Sequence, residues 1–252
     1  MAINCNDLAR AATRAGMILL ESGAETYRVE DTMKRICLSY GAQVVDSYAT
    51  PTLLIISFSL DDELVHNVKR TQLKEVNLSK IDKVNDLSRS ISEHHIELSK
   101  FNEILEQIDC EPKYKKIILI SAAAICTFGF ALFFGGTLKD AVASLALGAL
   151  LKLFTLQIDR IDFNSFFKYL ISGAMVTLIS IYFSKWHLCD NLDTIIISVD
   201  MLLVPGLAIT NAIRDTVSGD LVSGVARTTE AIFIAVAIAL GSGLVFMFVG
   251  GY

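Results

Sequence analysis

Two uninterrupted apolar stretches decide what this chain can be. Ile117 to Leu138 carries no charged side chain, and neither does Ala231 to Tyr252. Each meets the roughly 20-residue length needed to cross a hydrocarbon core about 30 Å thick. The rest of the chain is divided to match. Through Glu111 there are 12 Lys+Arg against 18 Asp+Glu, a net of −6; from Pro112 onward there are 10 against 9, a net of +1. The pattern is that of two parts, a charged one and an apolar one. We therefore expect a soluble α+β domain over 1–112 and an all-α membrane bundle over 113–252.

Three further spans bring the expected count to about five. Ala141 to Leu151 has only 11 uncharged residues, between Asp140 and Lys152. It is long enough only if Lys152 snorkels or faces a pore, so that the span runs to Ile158. Tyr169 to Ser184 gives 16 residues between Lys168 and Lys185, and Thr194 to Ile213 is long enough but contains Asp200 and Pro205-Gly206. The expected spans are then 117–138, 141–158, 169–184, 194–213 and 228–250. Lys113, Lys115, Lys116, Lys152, Arg160, Lys168, Arg214 and Arg227 flank one side, against Lys139 and Lys185 on the other. That excess predicts a cytoplasmic N-terminal domain in a multi-pass protein of the cell membrane. The opening Met1-Ala2-Ile3-Asn4-Cys5-Asn6-Asp7 has no basic segment followed by an apolar run, so no signal peptide is expected.

In the charged part, Leu8, Ala11, Ala12, Ala15, Ile18 and Leu19 recur at helical spacing, as do Val29, Met33, Ile36 and Tyr40, with Gly41 as a stop. Val44–Ala49, Thr52–Leu60 and Leu64–Val68 predict strands, with Pro51 and Asp61-Asp62 at the turns. Ile81 to Ile91 and Ile96 to Ile108 predict two more helices. Cys5, Cys37, Cys110, Cys126 and Cys189 are scattered, which predicts free thiols. His94-His95 are adjacent and would point about 100° apart on a helix, so no metal site is expected.

Two polar segments stand out. Glu21-Ser22-Gly23-Ala24-Glu25-Thr26-Tyr27-Arg28-Val29-Glu30-Asp31 lies between the first two helices. It predicts either a structural turn, with Ser22-x-x-Glu25 as a capping box and Arg28, Glu30 and Asp31 as a solvated first turn, or a polar site that senses a ligand or docks on the membrane half. The second runs from Leu203 to Asp215. Pro205 lacks a backbone donor and Gly206 eases departure from helical geometry, so a broken helix is expected. Asn211, Arg214 and Asp215 follow it, then Gly219, Asp220, Gly224, Arg227 and Glu230. An arginine here can fork onto a carboxylate, and Asp215 or Glu230 can bind an amine or carry a proton. Equally, Arg214/Asp215 and Arg227/Glu230 can pair with each other in a loop. Ser144-x-x-x-Gly148 predicts close helix packing.

Gly16 to Met33, Thr50-Pro51-Thr52 and Val84-Asn85-Asp86-Leu87-Ser88-Arg89 resemble the soluble part of the threonine/serine exporter family. Leu203-Val204-Pro205-Gly206, Asn211-Ala212-Ile213-Arg214-Asp215 and Ser218 to Arg227 resemble its membrane part. Full-length members carry about twice as many spans. The resemblance therefore implies the larger component of the split version, which works with a smaller membrane subunit and is associated with succinate as well as amino-acid export. A five-helix unit is also natural as half of an inverted repeat, completed by another protein or a second copy.

These observations predict a non-enzymatic exporter of small carboxylate-bearing metabolites in the lipid bilayer, coupled to protons, with no cofactor and no nucleic-acid partner. Pro205, Gly206, Asn211, Arg214, Asp215, Asp220, Arg227 and Glu230 are its candidate permeation residues. Glu21, Glu25, Thr26, Arg28, Glu30 and Asp31 form its N-terminal motif. The alternatives are a membrane-anchored enzyme, which lacks a nucleophile–histidine pair, and a sensor.

Overall fold

The computed structural model describes residues 4–72, 76–94, 96–112, 114–161 and 164–249. The expectations for Met1 to Ile3, His95, Lys113 and residues 250–252 lie outside them. The chain forms two compact units: Met1–Pro112 with Leu207–Thr229, and Lys113–Gly206 with Glu230–Tyr252. The expected division at 112/113 thus differs in one respect, because 207–229 belongs to the first unit.

The first unit begins with α1 (Cys5–Glu21) and α2 (Thr26–Ser39). An antiparallel meander follows, of β1 (Val44–Thr50), β2 (Leu53–Leu60) and β3 (Glu63–Arg70), in the order β1-β2-β3. Then come α3 (Leu78–His94) and α4 (Leu98–Asp109). The period-2 pattern of β2 buries Leu54, Ile56, Phe58 and Leu60 on one face. Leu8, Leu19, Met33, Ile36, Ile91, Phe101 and Leu105 close over that face. Asp61 and Asp62 turn the β2–β3 hairpin with φ of 50° and 63°, which their short polar side chains tolerate. The unit is completed by α9 (Gly206–Val217, from Leu207) and the first residues of α10 (Leu221–Val249).

The second unit contains α5 (Lys116–Phe133), α6 (Leu138–Ile158), α7 (Ser165–Lys185), α8 (Leu192–Asp200) and the rest of α10. Among the described residues, four helices are long and apolar enough to cross a membrane: α5, α6, α7 and α10. The expected count of about five is not reached, because 194–213 is not one helix. It divides into α8 and α9, of 9 and 12 residues. Pro205 is the cause: it has no N–H to continue the ladder, and Leu203 and Val204 both donate to the carbonyl of Asp200 instead.

Small residues set the packing of this unit, as expected where lipid removes the hydrophobic drive between helices. A Cβ on Gly148 would lie 2.3 Å from Thr127 Oγ1. Thr127 also donates to the Ser144 carbonyl at 2.8 Å, which joins α5 to α6. Gly173 and Gly241 bring α7 and α10 together in the same way, against Ile238 and Leu170. α5 stops at Phe133, short of the expected 138, with Gly135 at φ 81° and Gly136 donating to the Ala131 carbonyl.

Candidate functional site

The two polar segments meet inside the first unit. α1 ends at Glu21, and Gly23, at φ 89°, turns the chain so that α2 can begin only three residues later. The turn leaves the carbonyls of Gly23 and Ala24 and the N–H of Thr26 without helical partners. α9 and α10 supply all three. Asn211 Nδ2 donates to Gly23 O at 2.8 Å, and Arg227 Nη2 donates to Ala24 O at 2.8 Å. The Thr26 N–H donates to Asp215 Oδ1 at 3.1 Å, and the Thr26 hydroxyl to Asp220 Oδ2 at 3.3 Å. The positive end of α2 is therefore capped by carboxylates from 189 and 194 positions away.

This corrects the expected capping box. Glu25 is the N-cap residue of α2, and its side chain makes no capping bond. It turns instead to Arg214 and to Arg28, whose Nε is 3.1 Å away. Nor is the first turn of α2 simply solvated. Glu30 accepts from the Ala49 N–H of β1 at 2.7 Å, although Asp31 is exposed and pairs with Arg35.

Beneath these lies an enclosed ion pair: Arg227 Nε is 3.1 Å from Asp215 Oδ2, with side chains 8% and 0% exposed. The α9–α10 hairpin holds it in place. Gly219 turns at φ 95°, the Asp220 N–H donates to Asp215 O at 2.8 Å, and a Cβ on Gly224 would lie 2.1 Å from Thr216 Oγ1. Only glycine lets the two helices approach so closely here.

The structure thus brings together Glu25, Thr26, Arg28, Asn211, Arg214, Asp215, Asp220 and Arg227. Glu21 accepts from the Thr71 hydroxyl at 3.3 Å, outside the cluster. Pro205, Gly206 and Glu230 belong to the second unit, and Glu230 is exposed. The expected Arg227/Glu230 pairing does not form, since Arg227 is taken by Asp215. Two further acids of the second unit have buried carboxylate oxygens. Asp140 is fully buried, completes a capping box with Thr137 and accepts from the N–H groups of Asp190 and Asn191 at 2.7 and 3.0 Å. The Thr137-x-x-Asp140 spacing was its signal. Asp200, at the end of α8, has a buried Oδ1 with no hydrogen-bond partner.

Two carboxyls in the first unit are shifted in opposite directions. At Glu25 burial acts upward, but its own backbone N–H, the Arg214 hydrogen bond and the charges of Arg28 and Arg214 prevail, and the carboxyl titrates below its ordinary value. At Glu30 burial prevails over the Ala49 N–H, with the charges of Asp220 and Asp215 adding to it, and the carboxyl titrates above its ordinary value. The signs follow. A depressed acid contributes stability above its unfolded pKa, near 4.3 for glutamate, and loses it as pH falls through the folded value. A raised acid does the reverse. Glu25→Gln should therefore destabilise the full chain at neutral pH, by an amount that shrinks on acidification below about pH 4.3. Glu30→Gln should stabilise it at neutral pH, with the gain shrinking as pH falls. Melting temperatures of the two variants against pH in lipid nanodiscs check both slopes.

The family model described as a threonine/serine exporter matches residues 10–249. A protein of Mycobacterium tuberculosis named "Probable threonine/serine exporter" is 22% identical over 232 residues, which are 90% of this chain and 44% of that protein. The chain thus spans less than half the length of that relative. Two proteins named "Probable succinate transporter subunit YjjP" align over 92% of both chains, at 21% identity for Klebsiella aerogenes and 20% for Escherichia coli. No solved structure matches the chain. The family and the names of these relatives are those of transporters rather than enzymes, and the four long apolar helices fit several membrane crossings.

Proposed function

The chain belongs to the threonine/serine exporter family, and we propose that it is the larger subunit of a two-component exporter of small carboxylate-bearing metabolites. The substrate is threonine and serine, or a dicarboxylate such as succinate. The observation that supports the two-component reading is a name: two relatives, 21% and 20% identical to this chain, are each named as a succinate transporter subunit. The partner is a smaller membrane protein of the same family. The protein resides in the plasma membrane with the first unit in the cytoplasm.

In this function the cluster at Glu25, Arg214, Asp215 and Arg227 is a latch. It fastens the segment after the Pro205 break to the turn between α1 and α2. Efflux is coupled to the proton gradient, a reading supported by the three carboxyls of Glu30, Asp215 and Asp220, close enough to influence one another.

The test is efflux of labelled threonine and succinate from cells expressing this chain alone, the smaller subunit alone, or both. Export of either substrate only with both chains, and its collapse on adding a protonophore, is the expected result. Export by this chain alone would overturn the two-component assignment. No export of either substrate would overturn the substrate class.

A further inference from the structure

The second unit contains a cavity of about 370 Å³ among α5, α6, α7 and the turn after α8. Its size falls within the range of about 300–1,000 Å³ usual for small-molecule sites. Three of its charged residues set its chemistry. Lys168 pairs with Asp159, and its ammonium also lies 5.8 Å from the centre of the Tyr169 ring. The pair with Asp159 uses the one acid of the lining among the described residues. Lys152 lines the same cavity, half-buried, and among the described residues no carboxylate pairs with it. Among the described residues of the lining, two lysines stand against one aspartate, a net positive charge.

Lys152 lies six residues inside the end of α6, about 9 Å along the axis. A cation within a spanning helix is costly unless it faces a partner or an aqueous space, and here it faces the cavity. The neighbouring Leu150 and Leu153 are exposed, whereas Lys152 and the buried Leu151 line the cavity.

We propose that this cavity is an anion site in which Lys152 binds a carboxylate of the transported metabolite. It rests on the exporter function proposed above and gives that function a substrate anchor, separate from the cluster around Asp215. Lys168 lies in the same lining with its charge matched by Asp159. A dicarboxylate brings no cation of its own to Lys152, whereas a zwitterionic amino acid brings its ammonium into a positive site and gains less. The site therefore prefers succinate to threonine.

Cys126 lines the same cavity and is a native reporter, because only it and Cys110 are exposed among the five free thiols. The full chain in nanodiscs of zwitterionic lipid is treated with a water-soluble anionic thiol reagent, and the Cys126 peptide is followed by mass spectrometry. Succinate should slow modification of Cys126 and leave Cys110 unaffected, with threonine requiring higher concentrations. Lys152→Gln should raise the half-protecting succinate concentration about tenfold or more, and Lys152→Arg should retain most of the protection. A Cys126 thiol that does not react, or that succinate does not protect, would overturn the site. So would protection that follows added anionic lipid and not succinate, which would make it a headgroup pocket. Succinate efflux that persists in Lys152→Gln without loss of rate removes the site and leaves the exporter function standing. Protection of Cys126 in a protein that exports nothing supports the site and removes that function.

Discussion

Asp215→Asn should lower the stability of the first unit by about 3–5 kcal/mol, the usual cost of removing one member of a buried ion pair. Arg227 would keep its charge with its side chain only 8% exposed, and α2 would lose one of the two carboxylates at its positive end. Arg227→Met should be as damaging, since it strands the Asp215 carboxylate and unpairs the Ala24 carbonyl. The double variant Asp215→Leu/Arg227→Met should cost less than the sum of the two, because no charge is left buried; a coupling of about 0.5–3 kcal/mol is the expected scale. Melting of the purified protein in nanodiscs reads the stability, and efflux with the partner subunit reads the function. If the cluster is a latch, the double variant regains melting temperature but not export. Full export by that variant would reduce the pair to scaffolding.

The second large effect belongs to the membrane unit. Gly241→Val should separate α7 from α10, because even a Cβ at this position would lie 2.0 Å from the Leu170 carbonyl oxygen and 3.0 Å from the Ala174 nitrogen. Both are backbone atoms, which cannot rotate away as a side chain can. Overpacking of this kind costs about 1–3 kcal/mol or more, and the loss should appear as aggregated protein in size-exclusion profiles. Gly243→Val is the internal control. It sits two residues along the same helix with open space around its Cβ position, so it should elute and melt as the parent does. Equal behaviour of the two variants would show that the α7–α10 contact does not carry the bundle.

What was legible in the sequence was local or periodic. The helices from Leu8 and Val29, the strand alternation through Ile56 and Phe58, and the Asp61-Asp62 turn all follow from spacing within a few residues. So does the Pro205 break, although it ended a span that hydropathy alone would have made continuous. The failures are non-local. Ser22-x-x-Glu25 has the spacing of a capping box, but spacing cannot reveal that Asp215 reaches the same helix end from 189 positions away and frees Glu25 for Arg214. In the same way, Arg227 and Glu230 look like partners three residues apart, yet the arginine is already engaged by Asp215. For Lys152 the sequence leaves two alternatives, snorkelling or a pore, and no spacing along α6 brings it together with the α5, α7 and post-α8 residues that line its cavity.

The first unit is interrupted in the sequence: its last piece, Leu207–Thr229, comes after α5, α6, α7 and α8. During synthesis the N-terminal 112 residues emerge first, and the turn at Gly23–Thr26 must wait for Asn211, Asp215 and Arg227. Until then the Ala24 carbonyl and the Thr26 N–H have only water as partners. The α1–α2 corner therefore matures only after four intervening helices have been made. A nascent chain arrested before residue 207 would display that corner open, a ready site for proteases and chaperones, and protease sensitivity at 22–26 would report whether the rest of the chain has arrived.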